Sequence, residues 1–166
     1  MAYQPWQPGM ILTASRLASI SPTWQDWTPS WTTSTGLRLP SLGDATVDCA
    51  FAVSALTCYW RFDIIFGSST SFGAGATAGD NWMFGLPVAA ASTVAAVGFL
   101  EMNASGSARA IARARLLSTT QFGLELSTGR PDGVAVANNG LCDSLSPWTW
   151  ASGNSVRGVG HYQIAA

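Results

Sequence analysis

TCYWRFDIIF, residues 57–66, decides the fold class. Cys58, Trp60, Phe62, Ile64 and Phe66 alternate with Thr57, Tyr59, Arg61, Asp63 and Ile65. A period of two puts the first set on one side of an extended chain and the second set on the other. The stretch is therefore a β-strand with one strongly apolar face, and Trp60, Phe62 and Ile64 are expected in the core. Upstream, Val47, Cys49, Phe51 and Val53 form a second such face. A break at Ser54–Ala55 then joins the two as a hairpin. With the turn centred between Val53 and Ser54, Cys49 falls opposite Cys58. A cross-strand disulfide and two buried reduced thiols are both open at this stage. Cys142 is remote, and no C-x-x-C or Cys/His spacing suggests zinc.

The residues before this hairpin are unusual in another way. WQDWTPSWTTSTG, Trp24 to Gly36, holds three tryptophans within eight positions and a single charge, Asp26. Pro29 and the threonines disfavour helix. Three indoles carry too much apolar area to be left in water. The segment is expected to run extended against its own sheet, a neighbouring subunit or a ligand. Farther along, Gly67 to Asn81 reads as a Gly/Ser/Thr loop. Trp82 to Val88, Val94 to Met102, Ala108 to Leu117, Gln121 to Ser127, Trp148 to Ala151 and Val156 to Ile164 read as strands. GRPDG (129–133) and ANNG (137–140) read as turns. About eight short strands separated by turns make an all-β chain, a β-sandwich or jelly-roll-like domain.

The whole composition fits one such domain. The chain has 166 residues, 48% of them hydrophobic and only 10% charged, with a net charge of −1. Ordinary soluble proteins carry about 25% charged residues, and a chain so poor in charge is expected to hide surface in an assembly. All eight basic residues are arginine, with no basic run, so nucleic acid is not an expected partner. No run approaches the ~20 apolar residues of a membrane span, and no basic start precedes an apolar core as in a secretory signal. The first 23 residues read as a separate arm. Pro5, Pro8 and Gly9 break it, and Met10 to Ile20 has the spacing of a short helix stopped at Ser21–Pro22. The β domain is then expected over 24–166.

Several motifs follow one another along the chain in a recognisable order. Trp6 to Leu17 fits W-x-P-G-M-x-L-T-A-x-R-L. It is followed by WTPSWTTSTGLRLPSLGDATVDCAFAV (27–53), FGSSTSFGAGATAGDNWMFGLPVAA (66–90) and SPWTWASGNSVRGVGHYQ (146–163). In this order they resemble the small virion proteins of actinobacterial tailed phages, of the minor tail or tail-fibre type. One departure is Ala18 after Leu17, where that group often has Asn. The resemblance implies a homotrimeric jelly-roll head with an arm that attaches it to other virion proteins, tail or capsid. On the arm, Trp6, Pro8, Gly9, Met10, Leu12 and Leu17 are the attachment candidates. The implied location is the exterior of the particle, after synthesis in the host cytoplasm. Capsid decoration and a carbohydrate-binding module are the alternatives.

Chemistry is thinly represented. His161 is the sole histidine, no G-x-S-x-G elbow is present, and the carboxylates are scattered. No catalytic residue, cofactor or metal ligand is expected. Trp24, Trp27 and Trp31 are candidates for stacking on a host cell-wall glycan, or for packing in the sheet or in an interface. Arg109, Arg113 and Arg115 lie on one face of their strand. They are candidates for an anionic polymer, for carboxylates across a subunit boundary, or for plain solvation.

Overall fold

The computed structural model of the protein describes residues 9–11, 13–14, 22–93, 96–126 and 140–165. The described elements are all β. They are β1 (Gln25–Asp26), β2 (Trp31–Thr33), β3 (Thr46–Val47), β4 (Ala50–Ser54), β5 (Thr57–Ile65), β6 (Trp82–Gly85), β7 (Gly98–Asn103), β8 (Arg109–Leu116), β9 (Gln121–Leu126) and β10 (Ser155–Gln163). They form one antiparallel sheet in the order β1-β4-β5-β10-β7-β8-β9-β6-β2, with β3 on the end of β5. The sheet curls so that its halves face each other like a sandwich. Trp60 on β5 stacks on Phe122 of β9, and Phe62 on β5 meets Phe84 of β6 edge to face.

The decisive strand behaves as its alternation requires: Cys58, Trp60, Phe62, Ile64 and Phe66 are all buried. The hairpin register differs from the expected one. Ser54 pairs Thr57, so the turn is Ala55–Leu56, with Ala55 at φ 51°. Cys58 therefore faces Val53, and the continuous register of β3 and β4 along β5 puts Cys49 opposite Phe62. Cys49, Cys58 and Cys142 are free and buried. Burial pushes the Cys49 thiol up to about 11 and the Cys142 thiol up to about 12, so both stay protonated and unreactive.

The tryptophan-rich segment closes the sheet. The Trp27 amide donates to the Cys49 carbonyl, continuing β1 along the β4 edge. Three residues later the Ser30 carbonyl accepts from Gly85, and Trp31 to Thr33 pair with β6 at the opposite edge. The chain crosses from one edge to the other over Thr28 and the buried Pro29, where a missing amide hydrogen breaks no ladder. Trp31, 8% exposed, stacks on Phe66 and Phe84 and meets Trp82 edge-on at 4.8 Å. Trp27 is half-buried against Phe62, while Trp24 stays 54% exposed.

The widest side chain of the core has a bed of its own. Gly160 of β10 lies beside Trp60, and Gly98 of β7 lies beside Gly160. A Cβ on Gly98 would sit 2.6 Å from the Trp60 ring and 2.5 Å from the Val159 carbonyl oxygen. Two adjacent strands thus give up side chains so that one indole can lie flat across them. The indole N–H groups of Trp31, Trp60, Trp82 and Trp148 are buried without an acceptor. The apolar area of these rings is what holds them inside, and each orphaned donor subtracts on the order of 1–3 kcal/mol from that gain.

Other expectations need adjusting. Among the described residues there are ten strands rather than eight: the tryptophan-rich segment supplies two short ones, 46–54 is divided in two, and the one expected at 148–151 does not form. Residues 148–151 are irregular, not a strand. Trp148 and Trp150 still pack together at 5.3 Å, and the Trp150 N–H donates to the Asp143 carbonyl. β6 stops at Gly85, short of Pro87, and β7 begins at Gly98. Of the expected helix over Met10 to Ile20 only Met10, Ile11, Thr13 and Ala14 are described, and the arm residues Trp6, Pro8, Leu12 and Leu17 and the GRPDG turn lie outside the described residues, as does ANNG except Gly140. Of the arm candidates, Gly9 and Met10 are described, with Gly9 at φ 88°.

Candidate functional site

The core side of the sheet is closed, so the chemistry offered to other molecules is that of its outer side. Strand alternation and register order that side into rows. One row runs Glu125 (β9), Arg113 (β8), Phe99 (β7), Val159 (β10), Arg61 (β5), Ala50 (β4) and Asp26 (β1). Beside it runs Ile111, Glu101, Arg157 and Asp63. On the other side Tyr59 and His161 are partners, their rings 6.0 Å apart. Phe99, Ile111 and Val159 are 67%, 71% and 66% exposed although they sit on regular strands, with Phe99 and Val159 paired on both sides.

The charges around these three apolar side chains satisfy one another. Arg113 and Arg115 both bind Glu125, the latter at 2.7 Å. Arg157 meets Asp63 at 2.9 Å, Arg61 meets Asp48, and Arg109 is 4.0 Å from Glu101. Burial works against the charge of Glu125, but the bonds and charges of its two arginines outweigh that and hold its pKa below the ordinary glutamate value. The arginine row expected from sequence is therefore real as geometry. Its guanidinium groups are held by carboxylates of the same chain, which weakens the anionic-polymer reading. Asp48, Arg61, Asp63, Arg157 and Val159 also line a shallow open depression on this side.

At one end of the sheet two loops are tied together by acids. Asp44 accepts from the amides and hydroxyls of Ser68 and Ser69, which holds its pKa far below the carboxylate range. Asp80, fully buried, accepts from the Thr35 hydroxyl and from the Thr77 amide and hydroxyl at 2.8 and 2.9 Å, with Arg38 at 3.5 Å. These bonds, led by that from Thr35, lower its pKa to about 2 against burial that opposes them. Arg38 takes φ 50°, a strained conformation for a side chain of its size, between the exposed Leu37 and Leu39.

Because the folded-state pKa of Asp80 lies below the unfolded one, its stabilising contribution is complete above about pH 4. It is lost as pH falls through about 2. Thermal melting from pH 5 to pH 2 should show a steep fall, and Asp80→Asn should make that fall shallower. Equal pH slopes for the two proteins would show that Asp80 does not titrate in this way.

Trp24, Trp27 and Trp31 are not brought together on one surface. Trp31 is core, Trp27 is half-buried, and Trp24 alone stands open just before β1. No group of three or more His, Cys, Asp or Glu suited to a metal occurs among the described residues. No helix among them is long and apolar enough to cross a membrane. Sequence reasoning missed Phe99 and Val159, and it put Ile111 on the arginine side of its strand without reading it as apolar surface. The signal lay in FLEMN and RGVGH, where one large apolar residue occupies the otherwise polar side of an alternating strand. Comparison of the chain with family models, curated proteins and solved structures gives no match.

Proposed function

We propose that the chain is a structural protein of a phage virion, of the minor tail or tail-fibre kind. It assembles as a homotrimer on the outside of the particle, with the arm gripping other virion proteins, and carries out no bond-breaking chemistry. The observation that carries this reading is the exposure of three large apolar side chains on rigid strands of a chain with 10% charged residues. Contiguous apolar surface on ordered strands is characteristic of a contact with another protein. The resemblance of the sequence motifs to those of actinobacteriophage virion proteins supplies the setting. The carbohydrate-module alternative has less support, since two of its three tryptophans are in or against the core.

Light scattering of the purified protein at micromolar concentration should give the mass of three chains of 17.4 kDa each. Immunogold labelling of purified particles should place it on the tail, and label on the head would select the capsid-decoration alternative. A monomer that labels no particle would overturn the proposal.

A further inference from the structure

We infer that the outer side of β5, β10, β7 and β8 is the contact between copies of this chain, with Phe99 and Val159 at its centre. The inference rests on the self-assembly reading above and names the surface that carries it. Three observations single out this surface and a second copy as its occupant.

The edges of the sheet offer little. The outermost strands, β1 and β2, both come from residues 25–33 and are only two and three residues long. Assembly by adding a strand to an edge therefore has a short template. What is left is the face.

The face is also electrically self-contained. Arg61, Arg109, Arg113 and Arg157 each have a carboxylate of the same chain as partner. Such a surface does not select a strongly charged partner. It suits one that is nearly neutral and presents the same balanced pattern, and a second copy of this chain, at net charge −1, is that.

Size agrees as well. The four strands β5, β10, β7 and β8, at about 4.8 Å spacing and about 27 Å long on average, give a plan area of roughly 500 Å² before side-chain relief. A standard interface takes about 800 Å² from each partner, so the face is of the right order to supply most of one. Phe99 and Val159 are direct cross-strand partners at its middle, flanked by Arg113 and Arg61, an apolar centre within a polar rim.

The test is Phe99→Arg, with Val159→Asp as a second variant, compared with the unaltered chain by light scattering over a dilution series. Circular dichroism and melting temperature serve as checks on folding. Both positions are exposed, so the variants should fold and should dissociate at a concentration about 30-fold higher or more, as loss of a central contact residue does. Assembly of the unaltered chain should persist in 0.5 M salt, because its interface charges are paired within each copy. An unaltered chain that assembles, with variants that assemble equally well, overturns this surface and leaves self-assembly standing. A monomeric unaltered chain overturns both.

Should neither variant fold, hydroxyl-radical footprinting of the unaltered assembly decides the matter. Phe99 and Val159 should be protected relative to Leu56 and Leu145, which are exposed outside the face. Oxidation of Phe99 as fast as Leu145 overturns the proposal.

Discussion

Trp60→Ala is expected to destabilise the folded chain by about 3–5 kcal/mol, the range for removing a large aromatic side chain from a packed interior. For a chain of this size that lowers the melting temperature by roughly 6–20 °C at fixed protein concentration. Trp60 is 1% exposed and stacks on Phe122 across the two layers, at 5.5 Å between ring centres. The glycines beneath it cannot fill the vacated space, because Gly160 and Gly98 have no side chains to move in. Trp60→Phe should cost much less. It keeps an apolar ring in place, and the lost indole N–H had no acceptor. Urea denaturation of the three proteins measures the series, and a cost well under 1 kcal/mol for Trp60→Ala would show that the indole is not a core element.

Gly160→Ala should be comparably damaging for the opposite reason. Adding one carbon drives it into both the Trp60 ring and the Val97 carbonyl oxygen. Overpacking of this kind costs about 1–3 kcal/mol where side chains can adjust, and occasionally more. Here one of the obstructing atoms is backbone of a neighbouring segment that itself accepts the His161 amide at 2.8 Å, so a cost of about 3 kcal/mol is expected. Combining Gly160→Ala with Trp60→Ala distinguishes the two obstructions. Relief of the ring clash should leave the double variant less destabilised than the sum, by about 0.5–3 kcal/mol. A strictly additive pair would mean that the backbone contact alone sets the cost.

Both expectations concern a strand that was legible from alternation, but the glycine bed beneath it was not. Gly98 and Gly160 are 62 positions apart in sequence, and nothing in either local pattern links them to each other or to Trp60. Only the pairing of β10 with both β5 and β7 does so. The candidate face has the same history. Arg109, Arg113 and Arg115 were legible as one side of β8, because a period of two needs no partner to be read. Their carboxylates, Glu101 and Glu125, belong to β7 and β9, so the choice between a binding strip and internal pairing needed the register.

The tryptophan-rich segment marks the boundary most clearly. That Trp24 to Gly36 is extended and must cover its indoles follows from the residues alone, through Pro29, the threonines and the apolar area of the rings. That it bridges the two edges of a ten-stranded sheet depends on where β4 and β6 end up, which is a property of the whole chain. Ala50 and Ala52 show the same limit at the scale of one residue. Alternation puts them on the outer side with Arg61 and Tyr59, yet both are buried, because small side chains between longer neighbours are shielded wherever they point. Local pattern alone establishes the all-β class, the core side of the central strand and the need of the tryptophan-rich segment for cover. Tertiary structure decided the hairpin register, the separation of the cysteines, the closure of the sheet and the outer face. Periodicity is a local property set by backbone geometry, whereas register and neighbour identity are set by packing among residues far apart in the chain.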